Sequence, residues 1–355
     1  MMEAPLQRYL DALETSAETH HALAAPCYTD PALFDVEVER VLRPAWHPVA
    51  RHDSLPEAGD FEATELYGEP LVIVRDESGR LRVFSNVCPH RGHLIAHGRG
   101  HDKQLTCVYH RWAFGLDGGL KGAPLMKDEP AFDASACGLP ELKTELWQGF
   151  LMTSLDPDAA PFAAELGSLD EILADSPLDD YVTLGQIDFD SPWNWKVMID
   201  NFMESYHHLG AHADTLQPTN PANRTYSQDV EGPFSVLRNP GTEPANDFLV
   251  LQAFPTLLFF VQPSLSLGIW YELGIDRHDH LDLKVWLLMP AELAAQPGMA
   301  ELVAEQVQKV HLEDIAVCES VQRGMQSRLW RPGPLSRLEG CLGRFHAHIA
   351  KQLRA

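Results

Sequence analysis

Two short motifs that each contain one cysteine and one histidine constrain this chain more than any other feature. Cys88 and His90 form a C-x-H motif, and after sixteen further residues Cys107 and His110 form a C-x2-H motif. Each motif offers one thiolate and one imidazole, and Pro89 in the first motif is typical of a tight turn. Two such loops predict a metal centre held between them.

This donor set suits two kinds of centre. In a Rieske [2Fe–2S] cluster a cysteine pair holds one iron and a histidine pair holds the other. A structural zinc ion also accepts two thiolates and two imidazoles, but zinc sites usually pair like residues, as C-x2–4-C and H-x3–5-H. The mixed pairing favours the Rieske cluster, and a zinc-binding scaffold is the alternative.

Length and charge set further limits. The chain has 355 residues, 45% of them hydrophobic, which favours two domains. Its 51 acidic residues against 27 basic ones give a formal charge of −24, which disfavours binding to nucleic acid or to an anionic membrane surface. The N-terminus has no apolar signal segment and no run is long enough to span a membrane, so we expect a cytoplasmic protein.

Six cysteines in a chain of this length do not form a disulfide framework. Two of them belong to the motifs, and the others have no partner pattern. Free buried thiols are their default interpretation. They are Cys27, Cys137, Cys318 and Cys341.

The pattern of turns and apolar runs predicts three segments. Residues 1–45 contain two helices joined by a proline-punctuated linker, the second over residues 32–42. Residues 46–155 contain short β segments separated by Gly, Asp and Pro turns, typical of a small antiparallel domain. Residues 156–355 contain apolar runs that suit a larger antiparallel sheet, followed by a helix over about residues 299–327.

A second group of metal-ligating side chains lies in residues 200–212. On a straight helix His208 and His212 share a face, with Glu204 one turn earlier. His207 and His212 are five residues apart, about 140° around a helix, so their convergence requires a break, which we expect at Gly210. The residues alone leave the ligand pair open.

A third candidate follows from the periodicity of the C-terminal helix. Asp314 occupies an apolar position in a stripe of residues spaced three and four apart, so it is predicted to be buried. A buried carboxylate needs a partner, either a metal cation or an Arg or Lys side chain. Glu313 falls outside the stripe and is predicted to be solvated. The valines of the stripe are Val303, Val307, Val310, Val317 and Val321.

These motifs, in this order, resemble the large or only subunit of the Rieske non-haem iron oxygenases. The resemblance runs from about Trp46 to Gln322 and includes a Glu-Asp…Glu-x-x-Gln segment that begins at Glu313. It implies an α+β fold: a small antiparallel β Rieske domain, a catalytic domain with a helix-covered antiparallel sheet of helix-grip or START-like type, and an N-terminal segment packed on the catalytic domain.

The resemblance also implies roles for site residues. Cys88, His90, Cys107 and His110 would hold the cluster. His207, His212 and Asp314 would bind a mononuclear non-haem Fe(II). Glu204 would bridge the cluster of one subunit and the iron of the next, where many relatives carry Asp; as an exposed helix residue it would need no such role. Asn201 is a further candidate catalytic residue, and His208 is a neighbour of the metal site.

Partners and activity follow in the same way. Proteins of this family use O2 and electrons from NAD(P)H, delivered by a ferredoxin or a flavin/iron–sulfur reductase, and the resemblance implies that this chain forms a homotrimer. Basic residues near the cluster offer a docking surface for an acidic partner, or are ordinary solvated side chains. They are Arg91, Arg99, Lys103 and Arg111.

The substrate is predicted from the second motif. Its sequence, Asn-Phe-Met-Glu-Ser-Tyr-His-His, resembles the homotrimeric branch that oxidises choline, glycine betaine and carnitine, which implies hydroxylation or oxidative demethylation of a small quaternary ammonium compound. Phe202, Tyr206, Trp270 and Tyr271 are candidates for an aromatic cage around the cation, or are core residues. Hydroxylation of an aromatic ring or aromatic acid is the alternative, and a Rieske electron carrier without catalysis is the alternative of a different class.

Overall fold

The chain folds in the computed structural model, which describes residues 3–166 and 168–354, as two units. Trp46–Ala159 forms one unit, and the described residues on both sides of it in sequence form the other. Among the described helices, none has the length and apolar character needed to cross a membrane.

The N-terminal segment is helical, as predicted, but its second helix is irregular. The helices are α1 (Glu3–Thr19), α2 (Pro26–Thr29) and α3 (Pro31–Glu37), and a π-helical turn follows α3 over Val38–Leu42. Asp30 starts α3 by accepting a hydrogen bond from the Ala32 N–H at 2.9 Å, and proline suits the first helical position.

The unit Trp46–Ala159 is built from ten short antiparallel strands in three small sheets. Three strands that were not predicted, the fifth, eighth and ninth, are short or largely exposed, so they lack an apolar run. The sheets have the orders β1-β10-β9, β4-β3-β2-β5 and β6-β7-β8. The strands are β1 (Trp46–Arg51), β2 (Asp60–Leu66), β3 (Glu69–Arg75), β4 (Leu81–Ser85), β5 (Arg99–His101), β6 (Leu105–Thr106), β7 (Ala113–Phe114), β8 (Leu120–Gly122), β9 (Lys143–Trp147) and β10 (Phe150–Ser154).

The other unit contains a seven-stranded antiparallel sheet of order β11-β17-β16-β15-β14-β13-β12. One of the apolar runs in this part of the chain, residues 248–261, forms a hairpin rather than one strand, because Pro255 interrupts it. Three strands that were not predicted, β11, β12 and β13, lie in stretches rich in polar residues. The strands are β11 (Tyr181–Ser191), β12 (Tyr226–Gln228), β13 (Phe234–Asn239), β14 (Phe248–Ala253), β15 (Leu257–Gln262), β16 (Leu267–Arg277) and β17 (His280–Pro290).

Helices cover this sheet, which confirms the predicted α+β class. The longest helix, α8 (Met299–Met325), packs against β11 and β17, and the C-terminal helix α9 (Gly340–Arg354) packs against α1 and β13. The helices are α4 (Phe162–Glu165), α5 (Leu169–Ile172), α6 (Trp195–Phe202), α7 (Ala291–Ala294), α8 (Met299–Met325) and α9 (Gly340–Arg354). Short 3-10 turns lie at Ala134–Ala136, Leu178–Asp180, Tyr206–Leu209, Ala222–Arg224, Pro244–Asn246, Pro263–Leu265 and Arg337–Glu339.

Candidate active site

The two cysteine–histidine loops share one backbone construction. In the first, Gly92 has a φ of 73° and donates its N–H to the Cys88 carbonyl at 2.9 Å. In the second, Arg111 has a φ of 62° and donates its N–H to the Cys107 carbonyl at 2.9 Å. Glycine adopts this conformation readily, whereas arginine rarely does. Each loop therefore closes four residues after its cysteine.

The sulfur donors of these loops lie deeper than the nitrogen donors. Cys88 and Cys107 are buried and free of disulfides, and their thiols contact each other. The rings of His90 and His110 are half-buried, with centroids 4.6 Å apart, and His90 stacks on Trp112 at 4.8 Å. Two thiols on the inside and two imidazoles nearer the surface form a donor set that suits a Rieske cluster.

The second motif breaks its helix earlier than predicted. Helix α6 ends at Phe202 rather than near Gly210, and Gly210 instead ends the 3-10 turn that follows. The reason is Glu204, whose Oε2 accepts the backbone N–H groups of Tyr206 and, at 3.1 Å, of His207. A side chain that bonds nearby N–H groups competes with the helical carbonyls for them.

This break brings His207, His212 and Asp314 together. One ligand atom from each side chain lies within 4.8 Å of the others. The Asp314 Oδ1 is 2.9 Å from His212 Nε2 and 3.6 Å from His207 Nε2. Two imidazoles and one carboxylate are the facial triad of non-haem Fe(II) oxygenases.

Each imidazole is oriented by a further carboxylate. His207 Nδ1 lies 2.5 Å from Glu204 Oε1, and His212 Nδ1 lies 2.7 Å from Glu313 Oε2. Thr215 donates its hydroxyl to the same Glu313 oxygen at 2.6 Å. Glu313 was predicted to be solvated; its side chain is 29% exposed, but the prediction missed its contacts with His212 and Thr215. Carboxylates on Nδ1 leave both Nε2 atoms for a metal, an arrangement common at metal–histidine sites.

The charges of the site reinforce one another. Burial alone would raise the pKa of Asp314, but the adjacent imidazoles, His212 foremost, outweigh it and hold that pKa below its usual value. Burial alone would lower the pKa of His212, but Asp314 and Glu313 raise it above its usual value. The site therefore favours bound positive charge.

The three side chains are better suited to coordinating a metal ion than to hydrogen bonding with one another. Asp314 Oδ1 is buried and makes no hydrogen bond with the described residues, although His212 Nε2 lies 2.9 Å away. A buried carboxylate oxygen without a donor is costly, and a cation between the three side chains removes that cost.

The three side chains open on a cavity of about 450 Å³, here called the main cavity. Of the four predicted cage residues, Phe202 and Tyr271 line it, with ring centroids 4.7 Å apart. Tyr206 is 46% exposed and Trp270 is buried against Trp286, and neither lines the cavity. Its other aromatic wall is formed by Phe248 and Phe260, and its polar lining includes Asn201, Gln262, Gln306 and Lys309.

Two further histidines lie beside the candidate metal site. His208 is buried and its Nδ1 lies 2.9 Å from the Asn220 carbonyl, and burial lowers its pKa to about 4. His311, one turn before Asp314 on α8, is buried between the rings of Phe189 and Tyr271. The sequence analysis did not identify His311, although its position three residues before Asp314 places both on one face of α8.

Comparison with family models gives two matches. Residues 45–142 match the Rieske [2Fe-2S] domain, and residues 178–237 and 233–355 match the ring hydroxylating alpha subunit (catalytic domain).

Curated relatives match over most of the chain. The carnitine monooxygenase oxygenase subunit of Acinetobacter baumannii is 32% identical over 86% of this chain and 85% of its own length. The chloroplastic choline monooxygenase of Arabidopsis thaliana is 28% identical over 92% of this chain and 82% of its own.

Solved structures share the fold. The quaternary ammonium Rieske monooxygenase CntA, in complex with L-carnitine, superposes with a TM-score of 0.84 and 26% identity over 97% of this chain and 98% of its own. Naphthalene 1,2-dioxygenase from Rhodococcus sp. has a TM-score of 0.82 over 99% of this chain and 98% of its own, and at 19% identity this likeness shows the fold alone.

Proposed function

The chain belongs to the Rieske oxygenases with a ring-hydroxylating alpha-subunit catalytic domain, and from this premise we propose that it hydroxylates or oxidatively demethylates a small quaternary ammonium compound. The observation that supports this most is the cluster of His207, His212 and Asp314 at the wall of a cavity with aromatic side chains.

The family implies a Rieske cluster and a mononuclear non-haem iron. We assign the cluster to Cys88, His90, Cys107 and His110, and the iron to His207, His212 and Asp314. When bound, the iron supplies the O2-activating chemistry of the family. The chain's own side chains orient the two imidazoles through Glu204 and Glu313 and keep the substrate in a largely apolar cavity.

The walls of the main cavity suit a quaternary ammonium group. Such a group carries positive charge without N–H donors, so aromatic faces and nearby carboxylates recognise it better than hydrogen bonds do. Phe202 and Tyr271 supply a ring pair at 4.7 Å, and Phe248 and Phe260 supply another at 4.8 Å. The relatives named above are monooxygenases of carnitine and choline, both of which carry this group.

Lys309 favours a substrate that also carries a carboxylate. It lines the main cavity from α8, and among the described residues it has no ion-pair partner. A carboxylate at the far end of a betaine substrate can pair with the ammonium group of Lys309. On this basis we rank carnitine-like compounds above choline.

Electrons would reach the iron through Glu204. This side chain lines the main cavity and also a second one, the rear cavity, of about 370 Å³, lined by Tyr28, Asp200, Cys318 and Glu339 among others. We propose that Glu204 connects His207 to a cluster histidine of the next copy in a homotrimer. A reductase or ferredoxin fed by NAD(P)H would supply the electrons, docking near Arg91 and the other basic residues around the cluster.

We also propose a cytoplasmic location. The six cysteines all lie in the described part of the chain and form no disulfide, which suits a reducing compartment.

A substrate panel with a generic reductase tests the function. Carnitine, γ-butyrobetaine, glycine betaine, choline and an aromatic acid are compared by O2 uptake coupled to product. We expect turnover of the carboxylate-bearing ammonium compounds, at least about tenfold slower turnover of choline, and selective loss of the former in Lys309→Met. The His207→Ala variant should keep the cluster spectrum and form no product. Turnover of the aromatic acid alone would contradict the proposal.

A further inference from the structure

A buried chain of hydrogen bonds joins four helices behind the metal site. Asp200 in α6 accepts a hydrogen bond on Oδ2 from the Tyr28 hydroxyl of α2, at 2.5 Å, and its Oδ1 lies 3.1 Å from His346 Nε2 of α9. The other nitrogen of that ring, Nδ1, lies 2.9 Å from Ser16 Oγ of α1. Ser16 and His346 are both 1% exposed, so water does not compete for these contacts.

The protons of this chain can be assigned from its distances. Ser16 Oγ is 2.5 Å from the His21 carbonyl oxygen, a separation that requires the hydroxyl proton between the two oxygens. A serine hydroxyl has one proton, so towards His346 it acts as an acceptor. The Nδ1 of His346 therefore carries a proton.

The contact of His346 with Asp200 needs a second proton. Without one, the Nε2 lone pair would face a carboxylate oxygen at 3.1 Å and the two would repel. Tyr28 does not supply this proton, because its hydroxyl already donates to the other carboxylate oxygen, Asp200 Oδ2. Burial and the nearby Asp200 charge also raise the pKa of Tyr28, so its hydroxyl keeps its proton. The pair is thus either imidazolium with carboxylate or imidazole with carboxylic acid.

We propose that His346 and Asp200 share this ionisable proton and supply it for the reduction of O2 at the metal site. Asp200 lines the rear cavity, and the rear and main cavities have Asn201, Glu204 and His207 in common. Asp200, Glu204 and Glu339 offer carboxylate oxygens to water in the rear cavity, and such water can carry a proton from Asp200 towards the main cavity. The titratable groups that face the pair are Cys27, Tyr28, Lys196, Glu204, His207, Cys318 and Glu339.

The need for a proton source rests on the proposed function. Hydroxylation of R–H by O2 takes two electrons from the reductase and two protons from the protein or solvent, and yields R–OH and water. The C–H and O–O bonds break, a C–O bond forms, and the two protons leave in the water. The rear cavity shares three lining residues with the main cavity, so a proton stored on Asp200 and His346 lies next to the metal site.

The stored proton can be observed without turnover. In the metal-free protein at neutral pH, imidazole nitrogen chemical shifts should show that both nitrogens of the His346 ring are protonated. The signal is assigned to His346 by its loss in His346→Gln. If instead the proton lies on Asp200, infrared difference spectra should show a protonated carboxyl that Asp200→Asn removes. The absence of both signals at neutral pH would overturn the proposal.

Turnover measurements distinguish a role of Asp200 and His346 in proton supply from a purely structural role. In the loaded enzyme, Asp200→Asn should lower kcat on the order of 10²-fold, with an increased solvent isotope effect and a shifted pH profile, while substrate KM and the cluster absorption stay unchanged. His346→Gln should behave alike, and it replaces Asp200→Asn if that variant does not fold. His348→Gln, on the same helix, should match the unsubstituted enzyme in all three readouts.

Two results decide against the proposal, and a third concerns only the function. A loss of kcat with unchanged solvent isotope effect and pH profile would mean that Asp200 and His346 only hold the helices together. An equal loss in His348→Gln would mean that helix α9 responds to any change. Failure of the unsubstituted enzyme to oxidise any quaternary ammonium compound would contradict the proposed function, while the nitrogen shifts of metal-free His346 would still test the stored proton.

Discussion

At the scale of single residues, the oxygenase assignment depends most directly on Asp314. This carboxylate is surrounded by His207, His212 and His311, which hold its pKa below the usual value, and its Oδ1 makes no hydrogen bond with the described residues. Asparagine has nearly the same shape but no charge, so it keeps the packing and removes the anionic ligand.

We therefore expect Asp314→Asn to lose the mononuclear iron and keep the cluster. Metal analysis should fall from about three iron atoms per chain to about two, with the cluster absorption unchanged and product formation abolished. The exposed Glu319→Gln on the same helix is the matched control. Retention of all three iron atoms by Asp314→Asn would show that the carboxylate is not a ligand.

His348 in α9 makes a second prediction at this scale. Burial and the nearby Lys351 lower its pKa from 6.5 to about 4, and its ring lies 4.8 Å from that of Phe254. Between these two pH values the unfolded chain binds a proton at this residue and the folded chain does not. The free energy of unfolding therefore falls as the pH drops from 6.5 to 4.

His348→Gln should reduce this loss. We compare the free energy of unfolding of the variant with that of the unsubstituted protein. This difference should shift in favour of the variant by about 3 kcal/mol between pH 8 and pH 4, because one pKa unit corresponds to about 1.4 kcal/mol. Urea unfolding of the metal-free protein at several pH values measures the difference. His97→Gln, at an exposed position, is the control, and equal slopes for all three proteins would contradict the assignment.

At the scale of elements, helix α6 is held in place by a buried ion pair. Lys196 Nζ lies 2.7 Å from Glu37 Oε2, and both side chains are at most 1% exposed. The Trp195 indole donates to the same oxygen at 3.0 Å. Because α6 leads directly into Glu204 and His207, this pair links the N-terminal segment to the metal site.

Replacing one member of the ion pair should lower the free energy of unfolding more than replacing both members. Lys196→Met leaves Glu37 buried without a cation, so we expect a loss of about 3–5 kcal/mol in the free energy of unfolding. The double variant Lys196→Met with Glu37→Leu should recover most of that loss. Urea unfolding measures both, and a double variant as unstable as the single one would mean that the pair adds net stability.

The same helices show what the sequence can and cannot predict. Asp314 could be proposed as a ligand because an acid interrupts an apolar stripe, whereas the choice of His207 over His208 came from the family resemblance and not from periodicity. The stripe itself shifts along α8: Val321 is 39% exposed, while Cys318 and Gln322 are buried. Glu313 could not be placed, because its role depends on His212, which lies 101 residues away in sequence.

Helix boundaries and strands were less predictable for a related reason. Helix α6 ends at Phe202 because of local side-chain bonds from Glu204, which periodicity does not report. Strand β11 alternates half-buried and exposed positions, so it lacks the apolar run that predicted β16 and β17. Patterns of hydrophobicity predict elements, but specific side-chain contacts, some of them local, decide where the elements end.

At the scale of the whole molecule, the proposed electron route requires a second copy of the chain. Glu204 Oε1 contacts His207 within one chain, and the side chain also lines the rear cavity. If a cluster of the next copy docks there, the cluster and the iron that work together belong to different chains. In a cyclic trimer every chain then gives electrons to one neighbour and takes them from the other.

Two inactive variants should therefore restore activity in mixed trimers. Cys107→Ala removes the cluster and Asp314→Asn removes the iron, so neither protein alone forms product. In trimers assembled from equal amounts, half of the chains have an iron, and half of those have a neighbour with a cluster, which predicts about a quarter of the activity of the unsubstituted enzyme. Product formation after co-expression measures this. A mixture as inactive as its components would place both centres of each working pair within one chain.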